Sequence, residues 1–468
     1  MTSYRLPDFS FAWHHFLRRP WKLRWSLRTI PAHYGPEFAD YYVMLGQSLH
    51  WPAERIEQYQ WQQVKSLIAH ALRTVPFYQR WSAEHQATAE DFRSWGDFRK
   101  LPIINRTHLD ENLPDFTSSE YARHRGAPAQ TSGSTGRLLK FYRSWNTEAM
   151  RRAVQWRHFN QIGYEFKQRR VSLNVPFVGE EADLLYRYDP IENLVAFNGR
   201  FLHEESVEAI GAVIRRFQPR MFYAHPSALA ALATAMRKAN LLPLNIPLVY
   251  VYSEVISAAQ LELLRRWIGP NVHDHYGNRE NSVSASQLAC GRYHINSEFV
   301  YNELAPSSEQ FAGRPLGRVL GTNLVNYAMP LLRYDCRDLA IEIRPCDRCR
   351  NAHSTIEFVG GRDKNFLISR HGLVHCQYDD ILHKQGIAMP EDIQVEQIDL
   401  DTLVLRMVPG ALYERERDEP ILVEQLREAT KDWFAIRVEY VDRIPPTSGF
   451  KKSKVVSRLG EAAITESA

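Results

Sequence analysis

Two groupings in this 468-residue chain have the residue types and spacing to do chemistry. The first pairs Cys290 and His294, three residues apart in between, with Cys346 and Cys349, two residues apart in between. Three thiolates and an imidazole are the number and kind of donor that a closed tetrahedral zinc site takes. With four protein ligands no position is left for water, so such an ion would be structural. His353 is the alternative fourth ligand, and reduced, buried cysteines without metal are the plainer reading. Cys336 and Cys376 have no partner at metal spacing and read as small buried apolar side chains. The second grouping is Thr131, Ser132, Gly133, Ser134, Thr135 and Gly136, followed by Arg137 and Lys140. Hydroxyls alternating with glycines let backbone N–H and side-chain O–H groups converge on phosphate oxygens. A Walker loop is absent, and a flexible Ser/Gly loop is the competing reading.

Elements must hold these residues in place. Ile56, Tyr59, Val64, Leu67, Ile68 and Leu72 fall near helical spacing, predicting an amphipathic helix over 53–72 that stops before Pro76. Pro102, Pro114 and Pro128 then punctuate an irregular stretch. Residues 170–176, 221–223 and 248–252 read as buried strands, with helices over 207–217, 228–239 and 258–267 between them. That alternation predicts an α/β architecture with a largely parallel sheet. A strand-like segment at 293–298 meets the turn at 345–350 if the intervening strands fold back as hairpins. Beyond about residue 360 the texture changes to strands at 393–408 and 436–440 with a helix at 419–434, a small α+β unit cut off at Gly360-Gly361.

The composition is 44% hydrophobic and 24% charged, which is that of a folded globular protein and not of a disordered one. Basic residues number 58 and acidic 54, a balance that gives no reason to expect nucleic acid as a partner. No run approaches the roughly 20 apolar residues of a membrane span. His14, His15, Arg18 and Arg19 break every apolar stretch at the N-terminus, so no secretory signal is expected. Five cysteines make no disulfide framework, and a cytoplasmic location follows as the expectation. Residues 1–45 interleave Trp13, Trp21 and Trp25 with Arg18, Arg19, Lys22, Arg24 and Arg28. Such an arm packs on its own domain, or docks on an anionic membrane surface or a partner.

Downstream of the hydroxyl-rich loop come Tyr276-Gly277-Asn278-Arg279-Glu280, Arg333-Tyr334-Asp335-Cys336-Arg337-Asp338, Gly361-Arg362-Asp363 and Ser448-Gly449-Phe450-Lys451. In this order the motifs resemble the adenylate-forming superfamily of acyl-CoA synthetases and related ligases. Within it, the chain is most similar to the phenylacetate–CoA ligase branch, with its CapK-type and coenzyme F390 synthetase-like members. Thr74-Val75-Pro76-Phe77-Tyr78, Leu101-Pro102-Ile103-Ile104 and Tyr223-Ala224-His225-Pro226-Ser227 add to the likeness, which runs from about residue 60 to 455. Some relatives in this branch carry Cys/His sets at the places named above.

The resemblance implies a large N-terminal α/β domain with parallel and mixed sheets, followed by a small mobile α+β lid. The expected division is an N-terminal arm over 1–60, an ATP-binding domain over 61–360 and a lid over 361–468. It implies that 131–136 cradles the phosphates of ATP, that Glu280 holds Mg²⁺, and that Tyr276 lies beside the adenine, with Gly277 and Asn278 in the same segment. Ser253 and Glu254 resemble a further nucleotide-binding segment. Asp338 would hold the ribose hydroxyls, and Arg333 and Arg362 would pair with phosphate or ribose. The plainer readings are a salt bridge from Asp338 to Arg333 or Arg337 and an interdomain pair for Arg362. Lys451 would neutralise the forming acyl–phosphate bridge. The family reads Ser-Gly-Lys there, so Lys452 and Lys454 stand as alternatives. The hinge would lie at Asp363 to Asn365, where the family often has an acidic residue in place of Asn365. His225 falls near the expected acyl pocket, or packs as a hydrogen-bonded core residue.

The activity implied is that of an AMP-forming ligase. A small-molecule carboxylate and ATP give an acyl-adenylate, and coenzyme A or another nucleophile takes the acyl group. The rivals are AMP transfer to a non-carboxylate acceptor and a non-catalytic, CapK-like component of a polysaccharide or secondary-metabolite assembly.

Overall fold

The computed structural model describes residues 36–130, 139–174, 183–190, 192–201, 204–256, 258–311, 314–358, 366–375, 390, 392–410, 413–444 and 455–457. Most of the N-terminal arm, the loop 131–136, Arg362, the hinge at Asp363 to Asn365, Cys376, and Lys451, Lys452 and Lys454 lie outside the described residues.

Helix α1 spans Pro36–Ser48, α2 Ala53–Thr74 and α3 Pro76–His85. In α2 the buried residues Ile56, Val64, Leu67, Ile68 and Ala71 form one apolar stripe. Val64, Leu67, Ile68 and Ala71 pack on Tyr78, Phe92, Phe98 and Leu332. Val75 is extended, with φ −110° and ψ 116°, as a residue before proline must be, and Pro76 then opens α3 where its missing N–H costs nothing. Helix α2 therefore stops where the sequence says it should, and it runs through residue 60 without a break. The proline-punctuated stretch is less irregular than expected. Short helical turns at Trp95–Phe98 and Arg106–Glu111 start on the side-chain caps of Ser94 and Asn105.

Strands β1 (Ala127–Gln130) and β2 (Lys140–Arg143) pair as an antiparallel ribbon on either side of the hydroxyl-rich loop. The main sheet is built from β3 (Arg170–Asn174), β4 (Tyr186–Asp189), β5 (Leu194–Asn198), β6 (Met221–Ala224), β7 (Leu248–Tyr252), β8 (Val272–Gly277), β9 (Ser284–Gln287), β10 (Tyr293–Ile295), β11 (Val300–Phe311), β12 (Arg314–Asn323), β13 (Tyr334–Arg344) and β14 (Thr355–Phe358). Its spatial order is β11-β12-β13-β14-β10-β9-β8-β7-β6-β3-β5-β4. The run β5-β3-β6-β7-β8 is parallel. From β8 to β11 every pairing is antiparallel. The expectation of a largely parallel sheet thus holds for one half only. Between β8 and β14 no helix occurs among the described residues, and strands joined without a crossover must run antiparallel.

Helices α4 (Trp145–Gln161), α5 (Glu204–Phe217), α6 (Pro226–Lys238) and α7 (Ala258–Trp267) cover the parallel half. Alternate residues of β7 face opposite ways. Leu248 and Tyr250 join the cluster of Met150, Ala153 and Phe159, while Val249 and Val251 join that of Val213, Leu232 and Leu264. Burial on both faces is why these strands are near-continuously apolar.

The C-terminal elements are a hairpin of β15 (Phe366–Ser369) and β16 (Gly372–His375), strands β17 (Asp392–Gln397), β18 (Thr402–Val408), β19 (Ala435–Tyr440) and β20 (Val455–Ser457), and helix α8 (Arg415–Ala429). The sheet order is β19-β18-β17-β20, and Leu403, Leu405, Leu422, Leu426 and Phe434 give it a core of its own. The single strand expected over 393–408 is a hairpin, turned where the Asp401 N–H donates to Asp399 Oδ1 at 2.8 Å. Helix α8 ends earlier than expected, because Lys431 and Asp432 take left-handed φ values of 58° and 56°.

Candidate active site and metal centre

The Tyr276-Gly277-Asn278-Arg279-Glu280 segment ends β8 and turns into β9. Asn278 shapes that turn: its Oδ1 accepts from the Ser282 and Val283 N–H groups at 2.9 and 3.4 Å, and its Nδ2 donates to Ser282 Oγ at 2.8 Å. Asn302 on β11 donates to Ser282 O at 3.0 Å, and Asn323 on β12 donates to Asn281 O at 2.8 Å. Gly321 on β12 passes so close that an added Cβ would stand 2.2 Å from Ser282 O, so only glycine fits.

Tyr276 donates its hydroxyl to Asp338 Oδ2 at 2.7 Å. Strands β8 and β13 lie four steps apart in the sheet, about 19 Å if it were flat. The antiparallel half therefore curls back on itself and closes over this pair. Burial, and then the Asp338 carboxylate, push the Tyr276 phenol well above its ordinary pKa, so it stays a donor. Phe358 stacks on the Tyr276 ring at 4.5 Å and 26°. In the same region Glu280 is only 5% exposed. Its Oε1 accepts from Tyr334 Oη at 3.2 Å, while its buried Oε2 has no hydrogen-bond partner among the described residues. A buried carboxylate oxygen without a partner is the kind of donor a hard divalent cation takes.

Three further side chains gather here that sequence reasoning passed over. Arg143, at the end of β2, pairs with Glu148 at 2.5 Å, and Arg151 pairs with the same carboxylate at 3.1 Å. Burial lowers the Arg143 pKa, and the charges of Glu148, Arg151, Arg279 and Glu280 all act on it. Arg151 also acts with burial to push His275 down to about 4. Nothing in the spacing of Arg143, Glu148 and Arg151 sets them apart from any charged helix start.

Other expected residues sit elsewhere. Arg333 has a left-handed φ of 54°, donates through Nε to Glu303 at 2.6 Å and through Nη1 to Leu101 O at 2.5 Å, and its N–H donates to Thr322 Oγ1 at 2.9 Å. None of these partners belongs to the Tyr276–Asp338–Glu280 group. Ser253 follows β7 with φ 67°. Glu254 accepts from the Ser227 N–H at 3.0 Å, capping α6, and its other oxygen lies 3.6 Å from His225 Nδ1. His225 packs edge-on against Tyr252 at 4.7 Å.

The four metal-type residues do meet. The donor atoms of Cys290, His294, Cys346 and Cys349 all lie within 4.8 Å of one another. His294 Nε2 stands 3.3 Å from Cys290 Sγ and 3.5 Å from Cys349 Sγ, and the Cys346 and Cys349 sulfurs are 3.5 Å apart. Tetrahedral zinc with bonds of about 2.0–2.3 Å places its ligands about 3.3–3.8 Å apart, so the set fits. The hairpin arithmetic behind this is direct: β14 pairs with both β10 and β13, which carries Cys346–Cys349 to His294. His294 Nδ1 faces the His353 carbonyl at 3.3 Å, which puts the proton on Nδ1 and the lone pair on Nε2. Burial holds His294 down at about 4, hence neutral. Burial raises the Cys346 thiol, but the N–H groups of Arg348 and Cys349 and the neighbouring sulfurs outweigh it and bring the net value below the ordinary one. His353, the alternative ligand, contributes its carbonyl; its own Nε2 lies 3.4 Å from the buried Glu298. Cys336 points instead at Val319 O, 3.1 Å away.

No family model matches the chain. Over 444 residues it is 24% identical to the phenylacetate–coenzyme A ligase of Thermus thermophilus, covering 89% of this chain and 95% of the relative. The crystal structure of 2-hydroxyisobutyryl-CoA ligase in its postadenylation state, with an acyl-AMP bound, superposes with a TM-score of 0.66 at 14% identity, over 90% of this chain and 93% of the other. An open conformation of that ligase, with AMP adduct and CoA, gives 0.56 at 16% identity over 88% and 93%. Along nearly its whole length the chain is thus similar in sequence to a phenylacetate–coenzyme A ligase, and it shares the fold of 2-hydroxyisobutyryl-CoA ligase.

Proposed function

We propose that this protein is an AMP-forming acid–thiol ligase. A carboxylate oxygen attacks the α-phosphorus of ATP, the bond to the β-phosphate breaks, and pyrophosphate leaves. The sulfur of coenzyme A then forms a bond to the acyl carbon, and AMP departs with the electron pair. The observation that carries the reading is the Tyr276–Asp338 hydrogen bond with Glu280 in the same closed end of the sheet. Asp338, oriented by the Tyr276 hydroxyl, accepts from the ribose diol. Glu280 offers its unpartnered oxygen to Mg²⁺, which would neutralise charge on the phosphate oxygens. The names of the T. thermophilus and 2-hydroxyisobutyryl ligases support thioester formation as the second step.

The remaining roles complete the proposal. Thr131, Ser132, Gly133, Ser134, Thr135 and Gly136 cradle phosphate, Ser253, Glu254, Gly277 and Asn278 frame the nucleotide, and Arg362 reaches ribose or phosphate. Lys451 approaches from a C-terminal unit (361–468) that closes as a lid on the larger unit. Arg333 acts as a clamp, fastening 99–101 to β11 and β12 through the bonds described above. Cys290, His294, Cys346 and Cys349 hold a structural zinc ion.

The test is carboxylate-dependent exchange of pyrophosphate into ATP across a panel of aromatic, aliphatic and amino acids, with thioester detection when coenzyme A is added. Exchange with one acid class, followed by thioester, is expected. AMP transfer without exchange, or no turnover with any acid, refutes the ligase reading.

A further inference from the structure

Away from the nucleotide residues, α2 and the turn after residue 117 bring two imidazoles and a carboxylate together. His70 lies near the end of α2. Glu120 and His124 are four residues apart in one turn, where the His124 N–H donates to Glu120 O at 3.2 Å. The donor atoms of His70, Glu120 and His124 lie within 4.8 Å of one another. Glu120 Oε2 is 4.0 Å from His70 Nδ1 and 3.7 Å from His124 Nε2.

Hydrogen bonds decide which atoms face the centre. His70 Nε2 lies 2.9 Å from the Tyr327 carbonyl, which can only accept, so the proton sits on Nε2 and the lone pair on Nδ1. Thr74 Oγ1 and Ser118 Oγ brace the same Nε2 at 3.1 and 3.2 Å. Arg73 Nη2 approaches Nδ1 only at 3.5 Å. His124 Nε2 is buried and has no hydrogen-bond partner among the described residues. Its ring stacks on Tyr327 at 5.5 Å and stands perpendicular to His70 at 5.1 Å. Arg73 takes Glu120 Oε1, which leaves Oε2 turned toward both rings.

We propose that His70, Glu120 and His124 form a second metal site, taking a first-row divalent ion, Zn²⁺ being the one best suited to two imidazoles and a carboxylate. Zinc with bonds of about 2.0–2.1 Å sets its ligands about 3.3 Å apart, so Glu120 Oε2 need close on each imidazole nitrogen by less than about 1 Å, and the two imidazoles on each other by about 1.5 Å at most. Arg73 on Oε1 serves as the outer hydrogen bond that orients a ligating carboxylate. Arg123, 3.5 Å from Oε2 and 76% exposed, is free to swing out into solvent. Three protein ligands leave a fourth position, which opens on a depression of about 430 Å³ bordered by Ser66, Ala69, Arg73 and Arg123. Two arginines at its rim favour a water or a small anion there. The ion would tie α2 to the segment that leads through β1 into residues 131–136.

Cobalt titration of the chelator-treated full chain tests this independently of the Cys290–Cys349 centre, because only the latter gives thiolate-to-cobalt charge transfer. Two equivalents are expected, one with that band and one without. His124→Ala should weaken the band-free ion at least about tenfold and leave the thiolate-bound ion in place. Glu120→Gln, at a partly exposed carboxylate, should do the same and serves if His124→Ala fails to fold. Arg123→Ala should bind the second ion at least as tightly as wild type. The proposal is overturned if wild type takes up only the thiolate-bound ion, or if the band-free ion survives unchanged in both His124→Ala and Glu120→Gln.

Discussion

Tyr276→Phe isolates one hydroxyl and leaves the ring stacked on Phe358. What is lost is a 2.7 Å hydrogen bond to a carboxylate in a buried setting. Hydrogen bonds to charged groups are worth about 1.5–3 kcal/mol, and each 1.36 kcal/mol is a factor of ten. If that bond orients Asp338 toward the ribose, the KM for ATP should rise about ten- to a hundredfold. The rate at saturating ATP should change little, and the pH profile should not move, since the phenol is held protonated far above the working range. The decisive assay is a cycle combining Tyr276→Phe with ATP analogues that lack the 2′- or 3′-hydroxyl. Enzyme and nucleotide changes acting on one contact must be non-additive by about 1 kcal/mol or more. Independent, additive losses would refute the idea that Asp338 and Tyr276 hold the ribose as a unit, and an unchanged KM would refute it outright.

Four further perturbations have defined outcomes. Burial pushes Asp274 up to about 6 from 3.8, so its contribution to stability is full at low pH and is lost as pH rises through 6. Asp274→Asn, which keeps an acceptor for the Tyr293 hydroxyl at 2.7 Å, should gain on wild type between pH 4 and 7 by at most about 3 kcal/mol, measured as urea midpoints at each pH. Gly321→Ala forces a Cβ to within 2.2 Å of Ser282 O and should cost about 1–3 kcal/mol, with lower nucleotide affinity because the Glu280 turn must shift. Cys290→Ser should bring the zinc content of the thiolate centre from one equivalent to none and lower the melting temperature; full retention of both sinks the zinc assignment. Lys451→Ala should slow carboxylate-dependent pyrophosphate exchange at least about tenfold, and wild-type exchange removes that lysine from the chemistry.

The parts of this protein legible in its sequence are those where one local rule decides. The strand–helix alternation from Arg170 to Trp267 placed β3, β6, β7 and helices α5 to α7 within a few residues, since apolar period and proline or glycine breaks agree there. The C-x₃-H and C-x₂-C spacings marked four residues that do meet. The curl that brings Tyr276 to Asp338 was not legible, because it depends on strand order across the sheet rather than on any one strand. Asn302, Asn323 and Gly321 were missed for the same reason: each acts on a turn brought close only by the folded sheet. The place of Arg333 in a motif suggests a partner for phosphate or ribose, yet its side chain bonds to Glu303 and Leu101 from a left-handed backbone. Glu120 and His124 stand four apart in a turn and His70 lies about fifty positions away, a pattern with no sequence signature.

Phe358 touches two rings at once. One face meets Tyr276, and the ring meets Tyr293, the residue directly before His294, in an edge contact at 4.6 Å. The proposed zinc site and the proposed nucleotide site are thereby linked by three neighbouring aromatics. If Cys290, His294, Cys346 and Cys349 hold zinc as proposed, a protein folded under zinc starvation would keep its overall shape, yet the support beneath Tyr276 would slacken. Metal shortage would then register as poor affinity for ATP, in a preparation that still looks intact by circular dichroism and gel filtration.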